Sequence, residues 1–223
     1  MKILAISDIH GSLQPIEAGA KLIREADLIV IGGDITRGGT SEEARQILSH
    51  ISQYNSNIIA VHGNWDRREV RDLLREWGYG LHATGREIEG IGFFGVGGSN
   101  PTPINTPSDY SEEEINDFLH SGYETVKNSE TIVLVSHAPP RGARDRMFLG
   151  MRVGSKSVGE FLSQNRVDLC ICGHIHEAHG QEQMSDTLVL NTGSFISGRY
   201  AIIDITDSIA IKQERIQKAK LKN

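Results

Sequence analysis

Ile3-Leu-Ala-Ile-Ser-Asp-Ile-His10 is a short apolar run that ends in a carboxylate and an imidazole. A continuous run of this length, without polar alternation, suits a strand covered on both faces. The pattern recurs along the chain. Leu28–Ile31 runs into Gly32-Gly33-Asp34, and Ile58–Val61 into His62-Gly63-Asn64-Trp65-Asp66. Ile132–Val135 runs into Ser136-His137, and Leu169–Ile171 into Cys172-Gly173-His174-Ile175-His176. Five candidate strands thus present oxygen and nitrogen donors at their C-terminal ends, the edge where open α/β sheets bind ligands.

Helical patterns lie between several of these runs. Ser12 is placed to cap a helix reaching about Glu25, and Thr40–Glu43 and Ser111–Glu114 fit capping boxes. Asp66 reads as the N-cap of a helix carrying Val70, Leu73, Leu74 and Trp77, and Ser155 to Asn165 reads as another helix. The alternation predicts an α/β fold. Residues 86–98 read as a hairpin, and strands over 187–191, 200–205 and 208–214 are expected to be antiparallel or mixed. The loops 98–109 and 138–154 are long, which favours a functional role.

The 223 residues fit a single domain, 1–223. Hydrophobic content of 38% and charged content of 23% support a sizeable core. A net charge of −6 argues against nucleic acid as a partner held by bulk charge. No stretch has the apolar length of a membrane helix, and Asp8 and His10 interrupt the N-terminal run too early for a signal peptide. A cytoplasmic protein with no membrane association is expected. Nothing in the sequence sets an oligomeric state. Cys170 and Cys172 are expected to point to opposite faces of a strand and to stay buried and reduced.

Asp8, His10, Asp34, Asn64, His137, His174 and His176 make seven candidate ligands. That is too many for one tetrahedral zinc and suits two ions sharing a carboxylate. Mixed imidazole, carboxylate and amide donors suit Mn, Fe, Co, Ni or Zn better than Ca or Mg. Each motif alone has a plainer account: an Asp-x-His turn, a Gly-Gly-Asp turn, a packed strand-end histidine. Their coincidence at five strand ends favours one shared site.

In this order, D-x-H, G-D, G-N-x-D, H and G-H-x-H resemble the motifs of the calcineurin-like metallophosphoesterases, from Asp8 to His176. The resemblance implies a four-layer sandwich of two mixed β-sheets flanked by helices. It implies one divalent ion on Asp8, His10, Asp34 and His176, and a second on Asp34, Asn64, His137 and His174, with Asp34 bridging and manganese the foremost candidate. A metal-bridging water or hydroxide would be the nucleophile, and Asp34, Asn64 and His137 would carry catalytic weight. The substrate would be a small-molecule or nucleotide phosphate ester, and a phosphodiester is favoured. Two alternatives are a phosphomonoesterase or protein phosphatase, and a non-catalytic scaffold of the same fold. All seven ligands are present, which disfavours the scaffold.

Many members of that family carry histidine where this chain has Trp65. The departure implies slower turnover and a preference for acidic leaving groups, because indole moves no proton. Trp65 has two readings: an aromatic wall against substrate, or packing beside the following helix. Arg141, Arg144, Arg146 and Arg152 offer one expected phosphate contact, with Asn100 and His179 as weaker candidates. His62 reads as a packed strand-end residue, and His50, His82 and His120 as helix or surface residues without a role. The basic segment 212–223 reads as a solvated tail.

Overall fold

The computed structural model describes residues 1–217. In chain order its elements are β1 (Lys2–Ile6), α1 (Gln14–Ala18), α2 (Ala20–Arg24), β2 (Leu28–Ile31), α3 (Ser41–Ser52), β3 (Ile58–Ala60), α4 (Arg68–Glu76), β4 (Thr84–Ile88) and β5 (Ile91–Val96). There follow α5 (Glu112–Glu124), β6 (Thr131–Ser136), α6 (Lys156–Gln164), β7 (Leu169–Cys172), β8 (Gly180–Met184), β9 (Thr187–Asn191), β10 (Arg199–Ile205) and β11 (Ile209–Arg215). One sheet has the order β11-β10-β1-β2-β3 and the other β4-β5-β6-β7-β9-β8. Both are mixed. β1, β2 and β3 are parallel while β10 runs against β1, and β5, β6, β7 and β9 are parallel between antiparallel edges β4 and β8.

Strand side chains alternate between faces, so an all-apolar strand must be covered on both. Ile3, Ala5, Val30 and Val61 of the first sheet meet Phe93, Val133, Val135 and Ile171 of the second. Leu4, Ile6, Ile29 and Ile31 turn outward onto Ile16, Ile23, Leu48 and Leu73 of α1 to α4. Phe94, Leu134 and Cys170 turn outward on the second sheet onto Leu119, Phe161 and Leu162 of α5 and α6. The result is helix, sheet, sheet, helix, and it places the C-terminal ends of β1, β2, β3, β6 and β7 at a common edge.

Some expectations need correction. The helix over 12–25 is two five-residue helices meeting at Gly19, and Ser12 does not cap; Leu13 sits at the first N-cap without a side-chain bond. Glycine is about 1 kcal/mol poorer than alanine inside a helix, and a Cβ at Gly19 would meet the Pro15 carbonyl at 2.9 Å. Asp66 does not cap α4, whose N-cap is Arg67. Ser111 forms the full capping box and Ser155 caps α6, whereas Thr40 makes only its own half, to the Glu43 amide. Cys170 and Cys172 share one face, since residues two apart on a strand point the same way; both are free and buried. The polar edge strand β8 was not anticipated. Lys212–Arg215 belong to β11 rather than to a tail, and 218–223 lie outside the described residues.

Candidate metal centre

Four of the seven candidate donors occupy left-handed backbone conformations: Asp8 (φ 58°), His10 (φ 50°), Asp34 (φ 51°) and His174 (φ 64°). Such a conformation costs a non-glycine residue on the order of 1 kcal/mol or more and persists only where the surroundings enforce it. Here they do. The Asp8 amide donates to the Gly33 carbonyl at 2.9 Å and the His10 amide to the Asp34 carbonyl at 2.9 Å, locking the loop after β1 to the loop after β2. The Asn191 amide nitrogen donates to the carbonyls of Gly173 and Ile175, both at 3.0 Å, and pins the loop after β7.

All seven donors come together. His176 Nε2 lies 3.0 Å from Asp8 Oδ1, and His10 Nε2 lies 3.9 Å from Asp8 Oδ1 and 3.7 Å from Asp34 Oδ2. Asp34 Oδ1 lies 3.5 Å from His137 Nε2. Asn64 Oδ1 lies 2.9 Å from both His137 Nε2 and His174 Nδ1. The two oxygens of Asp34 therefore face the two halves of the cluster. Two groups have donor atoms within 4.8 Å of one another: Asp8, His10 and His176, and Asp8, Asp34 and His137. Gly63 and Gly173 allow the approach, because a Cβ on either would strike Asp34 Oδ1 or Ser7 and Asp8 respectively.

The donor chemistry fits cations. His137 Nδ1 donates to the Gly32 carbonyl at 2.7 Å, which leaves the Nε2 lone pair facing Asn64 Oδ1 and Asp34 Oδ1. The Asn64 amide is fixed the same way round. Thr106 gives its hydroxyl proton to Asp109, so it accepts from Asn64 Nδ2 at 2.9 Å and turns Oδ1 inward. Asn64 Oδ1 and the His137 Nε2 lone pair thus face one another with no proton between them, and Asp34 Oδ1 lies 3.5 Å from that nitrogen. Burial holds His174 down to about 3. Burial also lowers His137 and His10, so these rings are neutral and able to ligate. Burial and the Asp8 charge push Asp34 well up. For Asp8, burial acts upward, but the His176 hydrogen bond and the imidazoles of His137 and His176 prevail and hold it at about 2. Two buried carboxylates this close ionise together only with positive charge between them.

Thr106, Asp109 and Asn191 escaped the sequence reading. Only the length of loop 98–109 pointed toward the first two, and Asn191 had no signal beyond its place at the end of an apolar run. Asp66 is a staple rather than a cap. It accepts from the amides of Gly63 (2.8 Å), Ile35 (3.0 Å) and Thr36 (2.7 Å) and from the Thr36 hydroxyl (2.9 Å). Trp65 grips the centre through its backbone, its amide donating to Asp34 Oδ1 at 2.9 Å. Its side chain lines a groove beside Asn64, His174 and His176. Of the four loop arginines, Arg141 lines that groove, while Arg144 pairs with Glu182 and Arg152 with Asp145. Asn100 also lines it. His62 is fully buried, its ring against the Tyr110 hydroxyl at 3.1 Å. His179 lines a separate cleft with Arg199 and Arg215. His82, expected at the surface, is largely buried against Phe118, and burial holds it down at about 4.

A family model for calcineurin-like phosphoesterases matches residues 1–178. The chain belongs to the calcineurin-like phosphoesterase family. It is 40% identical to protein MJ1162 of Methanocaldococcus jannaschii over 86% of this chain and 87% of that one. It shares its fold with TT1561 of Thermus thermophilus, at a TM-score of 0.76 and 20% identity over 97% and 99% of the two chains. A dimetal phosphatase from Danio rerio superposes with a TM-score of 0.66 at 14% identity, over 97% and 96%. Membership carries metal-dependent phosphoester hydrolysis as the activity class. Among the described residues no helix is long and apolar enough to cross a membrane.

Proposed function

We propose that the chain is a phosphodiesterase acting on small-molecule phosphate esters with two divalent ions, manganese foremost and iron, nickel, cobalt or zinc admissible. Asp8, His10, Asp34 and His176 would hold one ion, and Asp34, Asn64, His137 and His174 the other. The observation that carries this is the meeting of two acceptors, Asn64 Oδ1 and His137 Nε2, with no proton between them and the Asp34 carboxyl beside them. Both sheets supply donors, which supports treating 1–223 as one domain. When bound, such ions lower the pKa of water to the working range and neutralise charge on the phosphoryl oxygens.

The protein's own groups do the rest. Asp34 and Asp8 balance the charge of the cations, and the neutral imidazoles of His10, His137 and His174 are free to offer a lone pair. Thr106 and Asp109 hold the Asn64 carbonyl in place. Arg141, at the mouth, is set to pair with a phosphate oxygen. One cation at the rim favours the single charge of a diester over the double charge of a monoester. With Trp65 at the leaving-group side, no imidazole from that position protonates the departing alcohol, so acidic leaving groups are favoured. The convergence of all seven donors disfavours a scaffold without catalysis.

The test is to strip the protein with chelator and assay bis-p-nitrophenyl phosphate with and without Mn²⁺. Metal-dependent turnover, with about two ions bound per chain, is expected. No uptake together with no metal-dependent turnover refutes the proposal.

A further inference from the structure

Beside the donors lies a groove of about 590 Å³, within the range of small-molecule sites. Its lining is mostly apolar: Trp65, Pro103, Ile104, Met147, Met151 and Ile175 surround the mouth, and the floor opens onto Asn64, His174 and His176. Two loops supply the walls, one around 100–106 and one around 147–153. Among the described residues six large apolar side chains are exposed, and four of them sit on these loops: Ile104 (67%), Met147, Phe148 (78%) and Met151 (62%). Isolated exposed apolar residues need no account, but a cluster rimmed by polar groups marks a binding surface.

We propose that this groove receives an alkyl group esterified to the phosphate, so that the substrate is an aliphatic phosphodiester rather than a nucleotide. The inference deepens the proposed function and rests on it. Three features favour an alkyl chain. The groove is continuous with the donors, so a group filling it is one ester bond from the reacting phosphorus. Arg141 lies within the same lining as Ile104, Met147 and Met151, so one groove can meet both an anion and hydrocarbon. The lining hydroxyls are already committed, Thr102 to Asp109 at 2.9 Å and Thr106 to Asp109 and Asn64, and the Asn100 amide nitrogen donates to the Val153 carbonyl at 3.3 Å, which leaves Asn100 Oδ1 as a single unpartnered acceptor among these groups. Apart from the donor imidazoles His174 and His176, Trp65 is the one aromatic side chain in the lining, and its apolar neighbours there are aliphatic or thioether, which adapts to flexible chains. Base-binding sites, by contrast, stack successive rings and pair polar edges.

The test uses the Mn²⁺-loaded full chain and a series of methyl, hexyl and dodecyl p-nitrophenyl phosphates, kept below the concentration at which they aggregate. In each, a water oxygen bonds to phosphorus while the bond to p-nitrophenolate breaks with its electron pair, and the water proton passes to solvent. Each methylene fully removed from water is worth a factor of about four, so even partial burial of the chain raises kcat/KM at least roughly tenfold from methyl to dodecyl. The double variant Met147→Ser, Met151→Ser should bring that ratio toward one. A second readout needs no turnover. In chelator-treated Trp77→Phe protein, where Trp65 is the remaining tryptophan, dodecyl phosphate should shift Trp65 emission to the blue and saturate. If the methyl diester is hydrolysed but the ratio is flat, or thymidine 5′-p-nitrophenyl phosphate exceeds the dodecyl ester tenfold, the inference is overturned while the proposed function stands. If no diester is hydrolysed, the proposed function fails, and the emission titration still decides the groove: a saturating shift supports it and none overturns it.

Discussion

Asn64 and Met151 line the same cleft, yet one is 1% exposed and the other 62%. The donor centre is polar, largely buried except at the half-exposed His176, and held by backbone from five strand ends. The groove is exposed, apolar and carried by two loops. The contrast separates two tasks. A rigid centre with strained but enforced conformations suits chemistry common to a whole family. A loop-built wall, remote from the sheet hydrogen bonds, suits the choice of substrate.

The largest effect should come from the centre. Asp34→Asn removes a charge facing both halves of the cluster, and a loss of at least about 10³-fold in turnover, with loss of bound metal, is expected. Near-normal turnover with full metal content would erase the distinction drawn above. Outside the donors, His82 tests whether burial alone defines the centre. Its folded value of about 4 lies below the ordinary 6.5, so the unfolded chain takes up its proton first as pH falls. The stability it contributes is complete above pH 6.5 and is lost on acidification toward pH 4, a difference on the order of 3 kcal/mol. Denaturant melts across this window should show the slope, and His82→Phe should flatten it. An unchanged slope would assign the acid sensitivity elsewhere.

Thr106→Val removes the acceptor that orients Asn64 and should cost about 10–100-fold in metal affinity or activity, the usual effect of losing a partner of a ligand. A metal titration checks it; unchanged affinity would show that the loop has no hold on the centre. The smallest change is expected from Trp65→His. A new general acid is worth up to about 10²–10⁴-fold, but the Asp66 carboxylate already accepts four bonds and is not free to orient an imidazole. A gain below about tenfold on alkyl leaving groups is expected, read from the slope of rate against leaving-group pKa.

The centre was legible in the sequence because each donor follows a continuous apolar run, and run and donor are adjacent in the chain. The layers were legible for the same reason. What stayed hidden depends on contacts between distant segments. Thr106 and Asp109 act on Asn64 across more than forty positions. Asp66 follows a helix-start pattern, yet its carboxylate turns back to the loop after β2. Ser12 looked like a cap because the pattern lacks the weight of Gly19. The groove was invisible, since Ile104 and Met151 touch one cleft only after the chain has folded; periodicity says nothing about loops.

Trp65 holds the Asp34 carboxylate through its peptide N–H, and any residue but proline has that group. The indole is therefore detachable from the task of building the centre. Position 65 is a socket on a finished machine, and what is plugged into it can change the reaction's appetite for leaving groups or the fit of the groove without dismantling the frame that holds the seven donors.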